Sequence, residues 1–259
     1  MCELEKWNST QYLKFQAERT QPSIDLVKRL SVENPKRIVD IGCGPGNSTA
    51  VLQQKYPQAE IIGVDSSPEM LATAAKAHPE LSFQLCDVGA DLSALGGGFD
   101  IVFSNACIQW VPDHSKLLKN LLGLLRSGGV LAVQIPVNQG EPIHQIIMHL
   151  VESAKWKPKF RHPRIFYTLS AEAYFDILAS CAADFTMWQT TYFHRMQSHE
   201  AILEWYRGTG LRPYLCELPE AEQVELESEV LAQVRKAYPV QQNGEVIFRF
   251  PRLFFTAVR

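Results

Sequence analysis

Ile38-Val-Asp-Ile-Gly-Cys-Gly-Pro-Gly-Asn-Ser-Thr49 decides how this chain folds. A short apolar strand carries an acid, Asp40, at its end. Three glycines at alternate positions, Gly42, Gly44 and Gly46, then lead into a helix-forming segment. Glycine lacks Cβ, so such a turn takes φ > 0 and lets a ligand approach the backbone closely. Between a strand and a helix it builds a binding site at the carboxyl edge of a parallel sheet. On its own the pattern also fits an ordinary tight turn.

The spacing and the acids narrow the ligand. Dinucleotide folds use Gly-x-Gly-x-x-Gly to set a pyrophosphate on a helix N-terminus, where an acid at the strand end would repel it. Here the spacing is Asp-x-Gly-x-Gly-x-Gly. S-adenosylmethionine carries an ammonium and a sulfonium, so Asp40 suits the ammonium, directly or through water. Gly42 and Gly44 pass beneath the methionine portion. Ile61-Ile-Gly-Val-Asp65 reads as a second strand whose acid accepts the ribose hydroxyls. In Ser66-Ser-Pro-Glu69, Ser66 and Glu69 fit a capping box, or Ser67 caps with Pro68 in the first helical position. Met70 then lies against adenine or packs into the core, and the sequence weighs the two equally. Leu81-Ser-Phe-Gln-Leu-Cys-Asp87 reads as a third strand, its acid suited to the adenine exocyclic amine. Three acids at successive strand ends point to one nucleoside. A fourth strand, Phe99–Ser104, opens into Asn105-Ala-Cys-Ile-Gln-Trp110. Asn105 is assigned to the methionine head, against a plain turn role. Trp110 walls a transfer chamber or is a core aromatic.

Composition sets the bounds. A chain of 259 residues with 46% hydrophobic content buries one sizeable core and an appended subdomain. A net charge of −3 without long basic blocks argues against nucleic acid as partner. Apolar runs too short for a bilayer, and an N-terminus without a signal-peptide pattern, predict a cytoplasmic protein with no membrane partner. The six cysteines are scattered, which fits a reducing compartment and argues against a disulfide framework or a metal site. Cys43 reads as a small filler of the turn rather than a nucleophile.

Strand and helix alternate over 37–41, 46–55, 60–65, 67–77, 81–86, 99–104, 113–125 and 129–136, with Arg126-Ser-Gly-Gly129 as a helix-stop turn. Tyr12–Arg19 and Pro22–Leu30 read as two helices broken by Pro22. Beyond Pro136 come helices near 141–157, 170–181, 198–206 and 219–237, and strands near 184–194 and 245–258. The last helix sets Leu226, Val230, Val234 and Ala237 on a packing face. The predicted architecture is α/β, a doubly wound, mostly parallel seven-stranded sheet with a helical lid insertion. Residues 1–136 form the N-terminal helices and the S-adenosylmethionine-binding core. Residues 137–259 supply lid insertions and the last edge strands within a single catalytic domain.

The chain resembles the class I S-adenosylmethionine-dependent methyltransferases, which have a Rossmann-like fold. Within them it is similar to the trans-aconitate 2-methyltransferase family. The resemblance rests on Tyr12–Pro22, Asp40–Thr49, Gly63–Met70 and Ser104–His114, and on Thr190-Thr-Tyr-Phe-His194, Glu204-Trp205, Thr209-Gly-Leu-Arg-Pro213 and Phe250-Pro-Arg-Leu-Phe254. It runs over nearly the whole length and is weakest around 155–165. It implies methyl transfer to a carboxylate of trans-aconitate, giving the monomethyl ester and S-adenosylhomocysteine. Another small acid, a malonyl thioester or an amine is the rival acceptor, and a non-catalytic binding protein is the rival class. Carboxylates ionise near pKa ~4, so no catalytic base is assigned. A polycarboxylate leaves spectator carboxylates for arginine forks. Arg212 and Arg252 are the expected clamps, with Arg19 and Trp110 completing the substrate set; each arginine reads equally as a structural ion pair. Arg195 is a further candidate in the tail. His114 and His194 stand where they would bond a carboxylate, although a lone histidine is more often structural. Tyr12, Phe15 and Arg19 read as a flap or as an ordinary amphipathic helix.

Overall fold

The apolar runs form a sheet: β1 (Arg37–Ile41), β2 (Glu60–Asp65), β3 (Ser82–Leu85), β4 (Phe99–Asn105), β5 (Leu125–Pro136), β6 (Asp184–Met196) and β7 (Val246–Val258). The computed structural model describes residues 15–90, 92–161 and 166–259, apart from the side chain of Gln16. Among these the sheet has seven strands, in the order β3-β2-β1-β4-β5-β7-β6. The first five are parallel, and their register sets Asp40 between Gly63 and Phe103. Beyond them only β7 reverses direction, and β6 runs with the first five. Gly128 and Gly129 bond to Arg259 at one end of β5, and Val137 bonds to Pro251 at the other, so β7 runs antiparallel to β5. On β6, Ala183 meets Val258, Trp188 stacks on Phe254 and Arg195 pairs with Glu245, which makes β6 antiparallel to β7.

The helices are α1 (Gln16–Lys28), α2 (Asn47–Lys55), α3 (Pro68–Ala77), α4 (His114–Gly123), α5 (Pro142–Val151), α6 (Ala171–Cys181), α7 (His199–Arg207), α8 (Arg212–Leu215) and α9 (Glu220–Ala237). The chain divides into two compact units. The sheet unit holds Gln16–Pro136, Phe166–Thr190 and Leu253–Arg259; the tail unit holds Phe15, 137–161 and Thr191–Arg252 among the described residues. Ile38, Val39, Ile41, Phe103 and Val133 are fully buried in the former. The tail unit has its own core of Ile143, Trp156, Trp205, Leu226, Val230, Val234 and Phe248.

Caps explain the helix starts. Ser67, not Ser66, caps α3, its hydroxyl accepting from the Met70 N–H, with Pro68 in the first turn. Ser170 does the same for α6. Four expectations need correction. Pro22 lies inside one continuous helix, because its ring is buried and the Ser23 hydroxyl bonds the Thr20 carbonyl beside it. Arg126–Gly129 belongs to β5 as an irregularity in its pairing with β4, rather than a turn before it. The helix near 141–157 stops at Val151. Ala237 is exposed, so the packing face of α9 ends at Val234.

Candidate functional site

The glycine turn is fastened to its neighbours by backbone. Gly42 and Cys43 both donate to the Val64 carbonyl, at 2.8 and 3.0 Å. Gly42 and Gly44 have positive φ, for different reasons. A Cβ on Gly42 would lie 2.2 Å from the Cys107 sulfur, whereas one on Gly44 would meet nothing within 4 Å. Gly42 is required for close packing, and Gly44 leaves open space above the turn.

Of the three acids, Asp65 is bonded to this turn and Asp40 stands just before it in β1. Asp65 accepts the Gly44 N–H on Oδ2 and the Ser67 N–H on Oδ1, each at 2.9 Å, and so ties the glycine turn to the start of α3. Asp40 is fully buried. Its Oδ2 accepts the hydroxyls of Ser48 (2.6 Å) and Thr49 (2.7 Å) on the first turn of α2, and its Oδ1 has no hydrogen-bond partner among the described residues. Burial pushes its carboxyl up to about 6, partly offset by the two hydroxyls, with the Asp65 charge adding to the rise. Asp87 is exposed and accepts the Gly89 N–H. All three charges act on one thiol: burial, then Asp65 and Asp40, with a smaller part from Asp87, push Cys107 up to about 12. Cys43 is buried and its thiol is also pushed well up, which leaves it un-ionised and a filler.

Beyond β4 the loop is strained and held. Ala106 has φ 55, unusual for a residue with a Cβ. The Gln109 amide donates to the Ala106 carbonyl (2.6 Å), and the Tyr167 N–H donates to the Gln109 carbonyl (3.1 Å). Buried His114 lies 2.8 Å from the Ile108 carbonyl through Nε2, which must donate; its Nδ1 accordingly accepts from the Tyr174 hydroxyl at 2.6 Å. Both nitrogens are engaged and burial holds the ring below its usual pKa, so His114 is structural. Half-buried Asn105 ends β4, with Oδ1 unpartnered among the described residues. Trp110 is no core aromatic: it is 37% exposed and packs on Phe166 at 5.3 Å. Met70 is buried and Ser66 exposed.

The candidate substrate residues fall in both units. Arg19, buried on α1, and Trp110 belong to the sheet unit, Arg212 and Arg252 to the tail unit. Arg212 opens α8 and is partly exposed. Arg252 is buried on β7, its guanidinium 4.6 Å from the Phe250 ring centre. Arg195 forms a bidentate surface pair with Glu245 at 2.8 and 2.9 Å. Phe15 packs on Trp205 within the tail unit, while Tyr12 of the expected flap lies outside the described residues. Sequence reasoning assigned no role to Ser48 and Thr49, although both stand in the quoted stretch, nor to Gln109.

Residues 38–129 match the family described as a methyltransferase domain. Trans-aconitate 2-methyltransferase of Escherichia coli is 42% identical over 255 residues, 98% of this chain and 98% of the relative. Among solved structures, the YcgJ protein from Bacillus subtilis superposes with a TM-score of 0.63 at 16% identity, over 92% of this chain and 98% of that one. Phosphoethanolamine N-methyltransferase 2 of Haemonchus contortus, solved with phosphomonomethylethanolamine and S-adenosylhomocysteine, gives 0.55 at 19%, over 92% and 52%. Identities that low speak for the fold alone. The near-full-length match to the Escherichia coli enzyme goes further, and the chain belongs to the trans-aconitate 2-methyltransferase family.

Proposed function

We propose that this chain transfers the methyl group of S-adenosylmethionine to a carboxylate of trans-aconitate, giving the monomethyl ester and S-adenosylhomocysteine. The carrying observation is the 42% identity to the Escherichia coli enzyme across 98% of both chains. The residues fit the cofactor. Asp40 Oδ1 is a buried acceptor awaiting a donor, which an ammonium supplies, and the added charge offsets the burial that raises this carboxyl. Gly44 leaves room for the methionine portion, Asp65 and Asp87 present carboxylates to ribose and adenine, and Asn105 Oδ1 is a second acceptor for the methionine head. Ser66 and Met70 border the nucleoside at the start of α3. When bound, S-adenosylmethionine supplies an electrophilic methyl on a sulfonium.

Protein groups then have positioning and exclusion to perform. A carboxylate near pKa ~4 is already ionised at neutral pH, so no side chain need remove a proton. Within the tail unit Arg212 and Arg252 hold spectator carboxylates, and within the sheet unit Trp110 keeps water from the transferred methyl. Alignment of this kind contributes up to about 7–11 kcal/mol of effective molarity.

A thioester on a carrier protein would need a basic docking face, and 155–164 is the stretch with that composition. Its described lysines are already matched: Lys155 with Glu225 and Glu229, Lys157 with Glu152, Lys159 with Glu222. His162, Pro163 and Arg164 lie outside the described residues. A small polycarboxylate is therefore favoured. Cytoplasmic residence is the matching assignment, since the five described cysteines are all free. The test is turnover with methyl-labelled cofactor against trans-aconitate, citrate, a malonyl thioester and simple amines. A base-labile labelled ester from trans-aconitate is expected; label passing only to another acceptor overturns the assignment.

A further inference from the structure

We infer that His194 and Arg252 together form a carboxyl-recognition pair in the tail unit, with His194 as the residue that selects an acceptor bearing one more carboxyl group. The inference rests on the polycarboxylate reading above and deepens it.

The strand pairing carries the argument. Along β7, Phe248, Phe250 and Arg252 alternate onto one buried face, and along β6 Tyr192, His194 and Met196 do the same. Apart from Met196 the face is aromatic except at two places, Arg252 and His194, which are 4% and 8% exposed. The His194 ring is stacked between Tyr192 (6.0 Å) and Trp205 (5.0 Å), with Phe248 and Phe250 at 6.0 and 6.3 Å. Aromatic packing on this scale would be served as well by phenylalanine. Imidazole adds nitrogen, and Nε2 is buried with no hydrogen-bond partner among the described residues. A buried polar atom left in that state is costly unless something else satisfies it.

The charge state fits the same occupant. Burial first, and then the Arg252 charge, hold His194 down at about 4, so the ring is neutral at neutral pH. The Arg252 guanidinium and the His194 ring both lie against Phe250, at 4.6 and 6.3 Å from its centre, and together offer one full charge and one uncharged hydrogen bond. A carboxylate takes both: the guanidinium by charge-assisted bonds, and Nε2–H, in that tautomer, by one more. A second full cation on the ring would repel Arg252.

The test uses the full chain saturated with S-adenosylhomocysteine, and calorimetry of tricarballylate against glutarate, which lacks one carboxyl. His194→Phe keeps the packing and removes the donor; His194→Gln keeps a donor. Tricarballylate should bind the Phe variant at least about tenfold more weakly and the Gln variant within about threefold of wild type, with glutarate affinity unchanged in both. Tricarballylate binding unchanged in His194→Phe overturns the pair, and so does equal loss for both acids or in both variants. Should His194→Phe fail to fold, the tricarballylate-to-glutarate ratio is read in His194→Leu, which also lacks the donor; a ratio unchanged there overturns it. The binding readout is independent of the labelled-ester assay. Wild type that makes no ester from trans-aconitate yet shows these shifts leaves the pair standing with a different polycarboxylate as acceptor.

Discussion

Under the function proposed above, the glycine turn and the tail unit solve the same problem, holding a charged small molecule, by different means. At the turn the work is done by backbone: Gly44 and Ser67 N–H groups fix Asp65, and Val64 fixes the turn. In the tail, side chains far apart in sequence meet because β6 and β7 pair. A backbone site is written in a dozen consecutive residues. A side-chain site is written in the register of two strands.

The comparison is most sharply broken at the turn. Gly44→Leu meets no neighbour, strains only its own backbone at φ 55, and should weaken S-adenosylhomocysteine at least about 100-fold by calorimetry, about 2.8 kcal/mol, with a modest fall in melting temperature. Gly42→Ala should instead fail as a fold, with aggregation or a large fall in melting temperature, because its Cβ meets Cys107. If both act alike, the separation of cofactor space from packing space is wrong.

Arg252→Lys tests the other region. It keeps the charge and loses the planar fork, so the KM for trans-aconitate should rise about tenfold while S-adenosylhomocysteine affinity stays put.

Effects on stability rather than on binding follow from two buried titratable groups, Asp40 and His194, which bend it in opposite directions. Asp40 has its native pKa raised from 3.8 to about 6, so between those pH values the native chain holds a proton that the unfolded chain has released. Stability of the ligand-free protein therefore falls as pH rises through that interval, by at most about 3 kcal/mol. His194 has its native pKa lowered from 6.5 to about 4, so there the unfolded chain holds the extra proton and stability rises with pH. Urea denaturation across this range should show Asp40→Asn gaining on wild type as pH increases, and His194→Phe losing ground. Parallel curves for either variant would refute the corresponding assignment. Least of all is expected from Arg195→Ala, an exposed pair with Glu245, which should leave KM unchanged within about twofold in the methylation assay.

Legibility in the sequence followed the same division. The strand-end acids and the α3 cap could be read because their partners lie within a few residues, or across the central parallel strands. Asp40 was read as a ligand for the ammonium, but its anchoring by Ser48 and Thr49 was not, since hydroxyls at a helix start usually signify a cap. Pro22 misled because the local rule for proline was overridden by burial. Gly128 and Gly129 misled because a glycine pair reads as a turn, and only pairing with β4 reveals an irregular strand. His194 was noticed as a candidate, but its neighbours Phe248, Phe250 and Arg252 lie more than fifty residues away, and no local pattern announces their alignment.

The matched lysines on 155–159 have a kinetic consequence. Each is neutralised by a nearby glutamate, so this stretch projects little field beyond contact range. A trianion diffusing toward a protein of net charge −3 gains no long-range guidance from it. Two like net charges repel and salt screens that repulsion, so the capture rate should rise rather than fall with ionic strength.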